Sequence, residues 1–219
     1  MRHESHLHPG VMGNAAHAYQ QQRYRSLAQA WVNWREQRLL TRLLTQCQLV
    51  NGTVLDVPCG YGRFASLYVR LGITVIGADR SPQMVHLAAA HLAQPSRGYW
   101  LCASILERPF AEDTFDGVRC LRLLHHRSSD AERQRMLGAL ARVSRRFVII
   151  SFSTAEPLHA LVRHGRGTRG RLAMMTFAHL RELAQASGLQ IQRVCALLRC
   201  CHAQTFVVLT KTPATGSRL

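Results

Sequence analysis

Lysine is almost missing from this chain of 219 residues: Lys211 is the only one, and arginine carries nearly all the positive charge. Acid is scarce as well, with 28 Lys+Arg against 12 Asp+Glu and a formal net charge of +16. That balance suits binding to nucleic acid, anionic lipid or a phosphorylated glycan, and equally an arginine-biased composition on a solvated surface. No Lys/Arg run is long enough to mark a basic tail. No uninterrupted apolar stretch approaches the ~18 residues a membrane-spanning helix needs. Met1–Gly10 is rich in His and polar residues and lacks the apolar core of a secretory signal. No C-x-x-C pair occurs among Cys47, Cys59, Cys102, Cys120, Cys195, Cys200 and Cys201, an odd set. A disulfide framework and a structural zinc site are therefore not expected, and a reducing cytoplasm is.

What is present is a folded chain. Hydrophobic residues make up 47% and charged residues 18%, which excludes wholesale disorder. The length suits one large domain. The expected division is a flexible segment over 1–18, a domain over 19–212 and a tail over 213–219. Within the domain, 19–50 is helical and 160–175 is a basic loop.

The middle of the chain alternates strand-like and helix-like segments. Thr53–Val57, Ile73–Ala78, Tyr99–Ala103, Phe115–Leu124 and Arg146–Phe152 read as strands. Phe64–Leu71, Ser81–Leu92, Asp130–Val143 and Thr176–Ser187 read as helices, with Ser81 and Asp130 as caps and Pro82 at a first helical position. Such alternation predicts an open, mostly parallel α/β sheet, doubly wound. Ile191–Leu198 and Thr205–Leu209 have no helix between them, so they must pair as an antiparallel hairpin.

Asp56-Val-Pro58-Cys59-Gly60-Tyr61-Gly62 joins the first strand to a helix. Glycines there allow a sharp turn and close approach of a ligand, and the helix start offers N–H groups to an anionic part of it. Asp79 ends the next strand, where a carboxylate can accept both hydroxyls of a ribose. Two cofactors use this geometry. Gly60-x-Gly62-x-x-Ala65 fits a nicotinamide dinucleotide fingerprint in form. The rival is S-adenosylmethionine, whose family pattern places an acidic residue where Asp56 stands.

The segments VLDVPCGYGRF (54–64), VIGADRSPQMVHLA (75–88), PFAEDTFDGVRCLRLLHH (109–126) and RVSRRFVIIS (142–151) together resemble the class I S-adenosylmethionine-dependent methyltransferases, especially the small type 11 group. The resemblance covers about 100 residues, in family order and spacing. It implies a seven-stranded sheet of Rossmann-like type ending in an antiparallel hairpin, a cofactor S-adenosylmethionine with product S-adenosylhomocysteine, and no metal. It implies cofactor contacts from Asp56, Pro58, Cys59, Gly60, Tyr61, Gly62, Asp79, Arg80, Met84, Ser104, Ile105 and Leu121. Pro58 stands where the family has its first glycine and removes one backbone donor. Ser104 stands where the family often has an acid near the adenine.

His125 and His126 follow the fourth strand, whose end faces the reactive methyl in the resembled fold. They are candidates to line the acceptor pocket or to act as a base. The segment before the first strand, with Tyr19, Tyr24, Trp31 and Trp34, covers the cofactor in related proteins; an amphipathic helix packed on the sheet is the preferred reading for the tryptophans. Arg163, Arg166, Arg169 and Arg171 lie in a glycine-rich stretch suited to a phosphate or carboxylate of the acceptor. The expected activity is methyl transfer to a small or anionic acceptor, with a phosphorylated cell-envelope glycolipid of lipopolysaccharide type as one form. An RNA or DNA methyltransferase is the alternative, although no N-P-P-Y-like motif follows the fourth strand. A non-catalytic cofactor-binding regulator is the third reading. A peripheral contact with an anionic surface is compatible with the charge.

Overall fold

The computed structural model describes residues 27–49, 51–92, 97–124, 129–153, 175–198 and 202–212. The chain divides into two compact units, 1–104 and 105–219.

The first unit opens with helix α1 (Leu27–Gln46). Strand β1 (Thr53–Asp56), helix α2 (Ala65–Arg70), strand β2 (Thr74–Asp79), helix α3 (Pro82–His91) and strand β3 (Gly98–Cys102) follow. β1 pairs parallel to β2, and β2 parallel to β3. α1 buries Leu40, Leu43 and Leu44, an i, i+3, i+4 stripe on one face. α3 starts as its sequence dictates: the Ser81 hydroxyl accepts from Met84 N, and Pro82 takes the first position, where no N–H is needed. Tyr99 and Leu101 on β3 stay exposed, as suits the outermost strand of the sheet.

The second unit begins with a single 3₁₀ turn, Ile105–Glu107. Strand β4 (Phe115–Cys120), helix α4 (Asp130–Val143), strand β5 (Ser144–Ser153), helix α5 (Phe177–Ala186) and strands β6 (Leu189–Leu198) and β7 (His202–Lys211) complete it. β4 and β5 are parallel. β7 pairs antiparallel to both β5 and β6, which is the terminal hairpin the sequence predicts. Val148, Ile149, Ile150 and Ser151 are buried in succession, the pattern of a strand covered on both faces. The strand order is β3-β2-β1-β4-β5-β7-β6, a seven-stranded mixed sheet.

The cap of α4 differs from expectation. Ser129, not Asp130, is the N-cap: its hydroxyl accepts from Glu132 N. Asp130 occupies the first helical position, where its charge faces the positive end of the helix dipole. The capping-box spacing Ser129-x-x-Glu132 carried that signal. Among the described residues no helix is long and apolar enough to cross a membrane.

Candidate functional site

The turn between β1 and α2 is built around Asp79. Asp79 Oδ2 accepts from Gly60 N at 2.9 Å, and Oδ1 accepts from Ser81 N at 3.0 Å. One carboxylate therefore ties the glycine turn to the end of β2. A carboxylate offers about four lone-pair directions, so two backbone bonds leave acceptor capacity for the hydroxyls of a ribose. Cys59 N donates to Ala78 O at 2.9 Å and locks the same junction.

The two glycines do different things. Gly60 has φ +55 and nothing within 4 Å of where a Cβ would sit, so the backbone there faces open space. That is what close approach of a cofactor requires. Gly62 has φ +75, and a Cβ would lie 3.0 Å from the Cα and Cβ of Ala88. It lets α3 close on the turn. Asp56 ends β1 with 1% exposure. Arg80 is exposed, and Ser104 is partly buried beyond β3. Ala103 N donates to Asp79 O at 3.0 Å, which extends the junction to the residue before Ser104.

Tyr61 turns inward rather than out to solvent. It is buried with Leu87, with Met84 packed against the pair, and meets the ring of His91 edge-on at 6.1 Å. Met84 thus has a packing role in the first turn of α3, next to the residues that hold the ribose candidate.

Arg63 is not surface either. Its Nη2 lies 2.6 Å from Glu36 Oε2, its Nη1 donates to Asn33 Oδ1 at 3.0 Å, and its guanidinium covers the Phe64 ring at 4.2 Å. Glu36 and Asn33 belong to α1, so this cluster clamps α1 to the glycine turn. Sequence reasoning passed over Glu36, the only acid on α1. Trp31 and Trp34 are 43% and 48% exposed, which corrects the expected packing on the sheet. Arg35 lies over the Trp31 ring and Arg38 over the Trp34 ring, so each indole is partly covered by its own helix.

In the second unit Ile105 is buried at the start of the 3₁₀ turn, and Leu121 is buried just after β4. His125, His126, Tyr19, Tyr24, Arg163, Arg166, Arg169 and Arg171 lie outside the described residues, as do most of the basic loop and both terminal segments. Among the described residues no group of His, Cys, Asp and Glu could hold a metal ion.

The sequence profile of the methyltransferase domain family matches residues 54–146, from the second residue of β1 to the third residue of β5. Residues 54–146 are a methyltransferase domain. It is of the class I, S-adenosylmethionine-dependent type. A ubiquinone biosynthesis O-methyltransferase of Xanthomonas euvesicatoria is 25% identical over 165 residues, 70% of this chain and 69% of that protein. An uncharacterized methyltransferase of Mycolicibacterium vanbaalenii is 41% identical over 64 residues, 29% of this chain and 25% of that one. The magnesium protoporphyrin IX methyltransferase of Synechocystis, crystallised with S-adenosylhomocysteine, has the same fold. Its TM-score is 0.73 at 19% identity, covering 94% of this chain and all of that one.

Proposed function

We propose that the protein transfers a methyl group from S-adenosylmethionine to a small-molecule acceptor. The observation that carries this reading is the Asp79 carboxylate, held by Gly60 N and Ser81 N beside a glycine turn open to a ligand. When bound, S-adenosylmethionine supplies a methyl group on a positively charged sulfur, which an acceptor O, N or C atom takes to leave S-adenosylhomocysteine. Asp79 accepts from the ribose hydroxyls. Gly60 and Cys59 form the wall along which the cofactor lies, and Asp56 closes the end of β1. In the first unit, Met84 and Ser104 would border the adenine and Arg80 would stand near it. Positioning of the acceptor in line with the methyl is the main catalytic device of such a site. His125 and His126 are our candidates for acceptor-side residues, and Arg163, Arg166, Arg169 and Arg171 for recognition of an anionic acceptor group; all six lie outside the described residues.

A small acceptor is favoured by the matched relatives, whose names concern ubiquinone biosynthesis and magnesium protoporphyrin. A phosphorylated envelope glycolipid is the narrower version and rests on the arginine loop alone. The +16 charge favours a nucleic-acid acceptor as the second reading. A cytoplasmic location is the reading that fits this cofactor and a cysteine set without a C-x-x-C pair.

Calorimetry tests the cofactor: S-adenosylhomocysteine should bind and NAD should not. Transfer of labelled methyl to a panel of phenolic small molecules, lipopolysaccharide and total RNA then sorts the acceptors. Labelling of RNA alone would overturn the small-molecule reading.

A further inference from the structure

The second unit contains a cavity of about 340 Å³ with a lining unlike its surroundings. Arg108, Arg135 and Arg142 line it, together with Leu106, Gly138 and Ala139. Arg135, Gly138, Ala139 and Arg142 fall at i, i+3, i+4 and i+7 of α4, so they form one face of the helix. Arg108 reaches the same space from the loop after the 3₁₀ turn. Among the described residues no acid lines the cavity. Glu107 and Glu112 on that loop are exposed outside the lining, and Asp113 is engaged by Lys211.

Three further observations point to a ligand. Nε and Nη2 of Arg142 are buried with no hydrogen-bond partner among the described residues. Buried donors of a charged group are costly unless something accepts from them. Gly138 sits in the middle of a helix, where glycine weakens the structure, yet nothing lies within 4 Å of where its Cβ would be. Packing does not demand glycine there, and the open space leaves the helix backbone approachable. Arg108 has φ +55, a left-handed conformation that costs free energy for a residue with a side chain.

We infer that this cavity is a binding site for a phosphate-bearing ligand, with Arg142 as its buried anchor, Arg108 and Arg135 as its flanking cations and Gly138 as its open floor. Guanidinium groups match phosphate oxygens in paired hydrogen bonds, and the volume suits a diphosphate or a small phosphorylated molecule. The site stands on residues of the second unit alone. It does not rest on the methyl-transfer reading, and its failure would leave that reading intact.

Inorganic diphosphate titrated into the full chain by calorimetry, at ionic strength fixed with sodium chloride, tests it. One equivalent should bind. Arg142→Gln and Arg135→Gln should each weaken binding tenfold or more, while Arg145→Gln, at an exposed arginine facing Asp116 on β4, should not. Should Arg142→Gln fail to fold, Gly138→Leu provides the second test. Its side chain fills the cavity with a good helix former, so it should keep or raise the melting temperature and abolish diphosphate binding. Phosphatidylglycerol vesicles separate the sources of the phosphate. Vesicle binding displaced by diphosphate assigns a lipid headgroup, and diphosphate binding without vesicle binding assigns a soluble ligand; both support the site. It is overturned if the wild type takes up no diphosphate at millimolar concentration. Unchanged binding by Arg142→Gln and Gly138→Leu would also overturn it. So would binding of an RNA oligonucleotide through these arginines with no response to diphosphate.

Discussion

Arg63 in the first unit and Arg142 in the second are both partly buried beside a helix, yet their surroundings treat them in opposite ways. Arg63 has a carboxylate, an amide oxygen and an aromatic face arranged around it. Arg142 has two buried nitrogens without a hydrogen-bond partner among the described residues, and it lines a cavity together with two more arginines. One guanidinium is a structural clamp; the other is the anchor of the phosphate site we infer. A net charge of +16 is therefore not one property spread over a surface. Part of it is consumed by the fold, and part is left concentrated at one place.

The largest test of this contrast is to break the clamp. Glu36→Ala leaves the Arg63 charge buried without its carboxylate, and should lower unfolding free energy by about 3–5 kcal/mol in denaturant titration. A loss near zero would mean that Arg63 is solvated and that the two arginines are alike. Next in size is Gly62→Ala, which puts a Cβ on a residue at φ +75 and against Ala88. It should cost about 2 kcal/mol by the same measurement. Gly138→Ala should act in the opposite direction, because the space beyond it is open. A gain of about 0.5–1 kcal/mol is expected in the helix interior. A loss would show that Gly138 is required by packing rather than kept for a ligand.

The smallest effect concerns Asp130, whose carboxyl is held below its ordinary range first by the hydrogen bond from His179 and then by Arg133. A carboxyl lowered on folding binds its proton more weakly in the native state. Its stabilisation is present above the ordinary carboxylate value and is lost as pH falls through the lowered one. Asp130→Asn should therefore narrow the gap to wild type as pH drops into that acid range. The group is exposed, so the effect should be slight, and a gap independent of pH would remove the assignment.

Local signals made much of the first unit legible. The β1 turn carries Asp56 and its two glycines within seven residues, Asp79 closes the next strand, and Ser81-Pro82 announces α3. Each of these acts over a few residues, so order along the chain is enough. The terminal hairpin was legible for the same reason, since no helix-length segment separates its strands. The Arg63–Glu36 clamp was not, because its partners are far apart in sequence and meet only through packing. Nor was the inward turn of Tyr61, which depends on where α3 comes to rest. The two tryptophans were misjudged because their period fits a buried stripe, while Leu40, Leu43 and Leu44 took that role farther along α1. The cavity face was readable in principle: Arg135, Gly138, Ala139 and Arg142 recur at helical spacing. Only the open space at Gly138 gave that spacing a meaning.

The account rests most heavily on Asp79 as the residue that grips a nucleoside cofactor. Calorimetric titration of S-adenosylhomocysteine into wild type and Asp79→Ala, with circular dichroism to verify the fold, addresses it directly. The loss of charge-assisted bonds to the ribose predicts a penalty of roughly 1.5–3 kcal/mol, about tenfold or more in affinity, in a variant that remains folded. Equal affinity in a folded Asp79→Ala protein would contradict the account, as would wild-type protein that binds NAD and ignores S-adenosylhomocysteine.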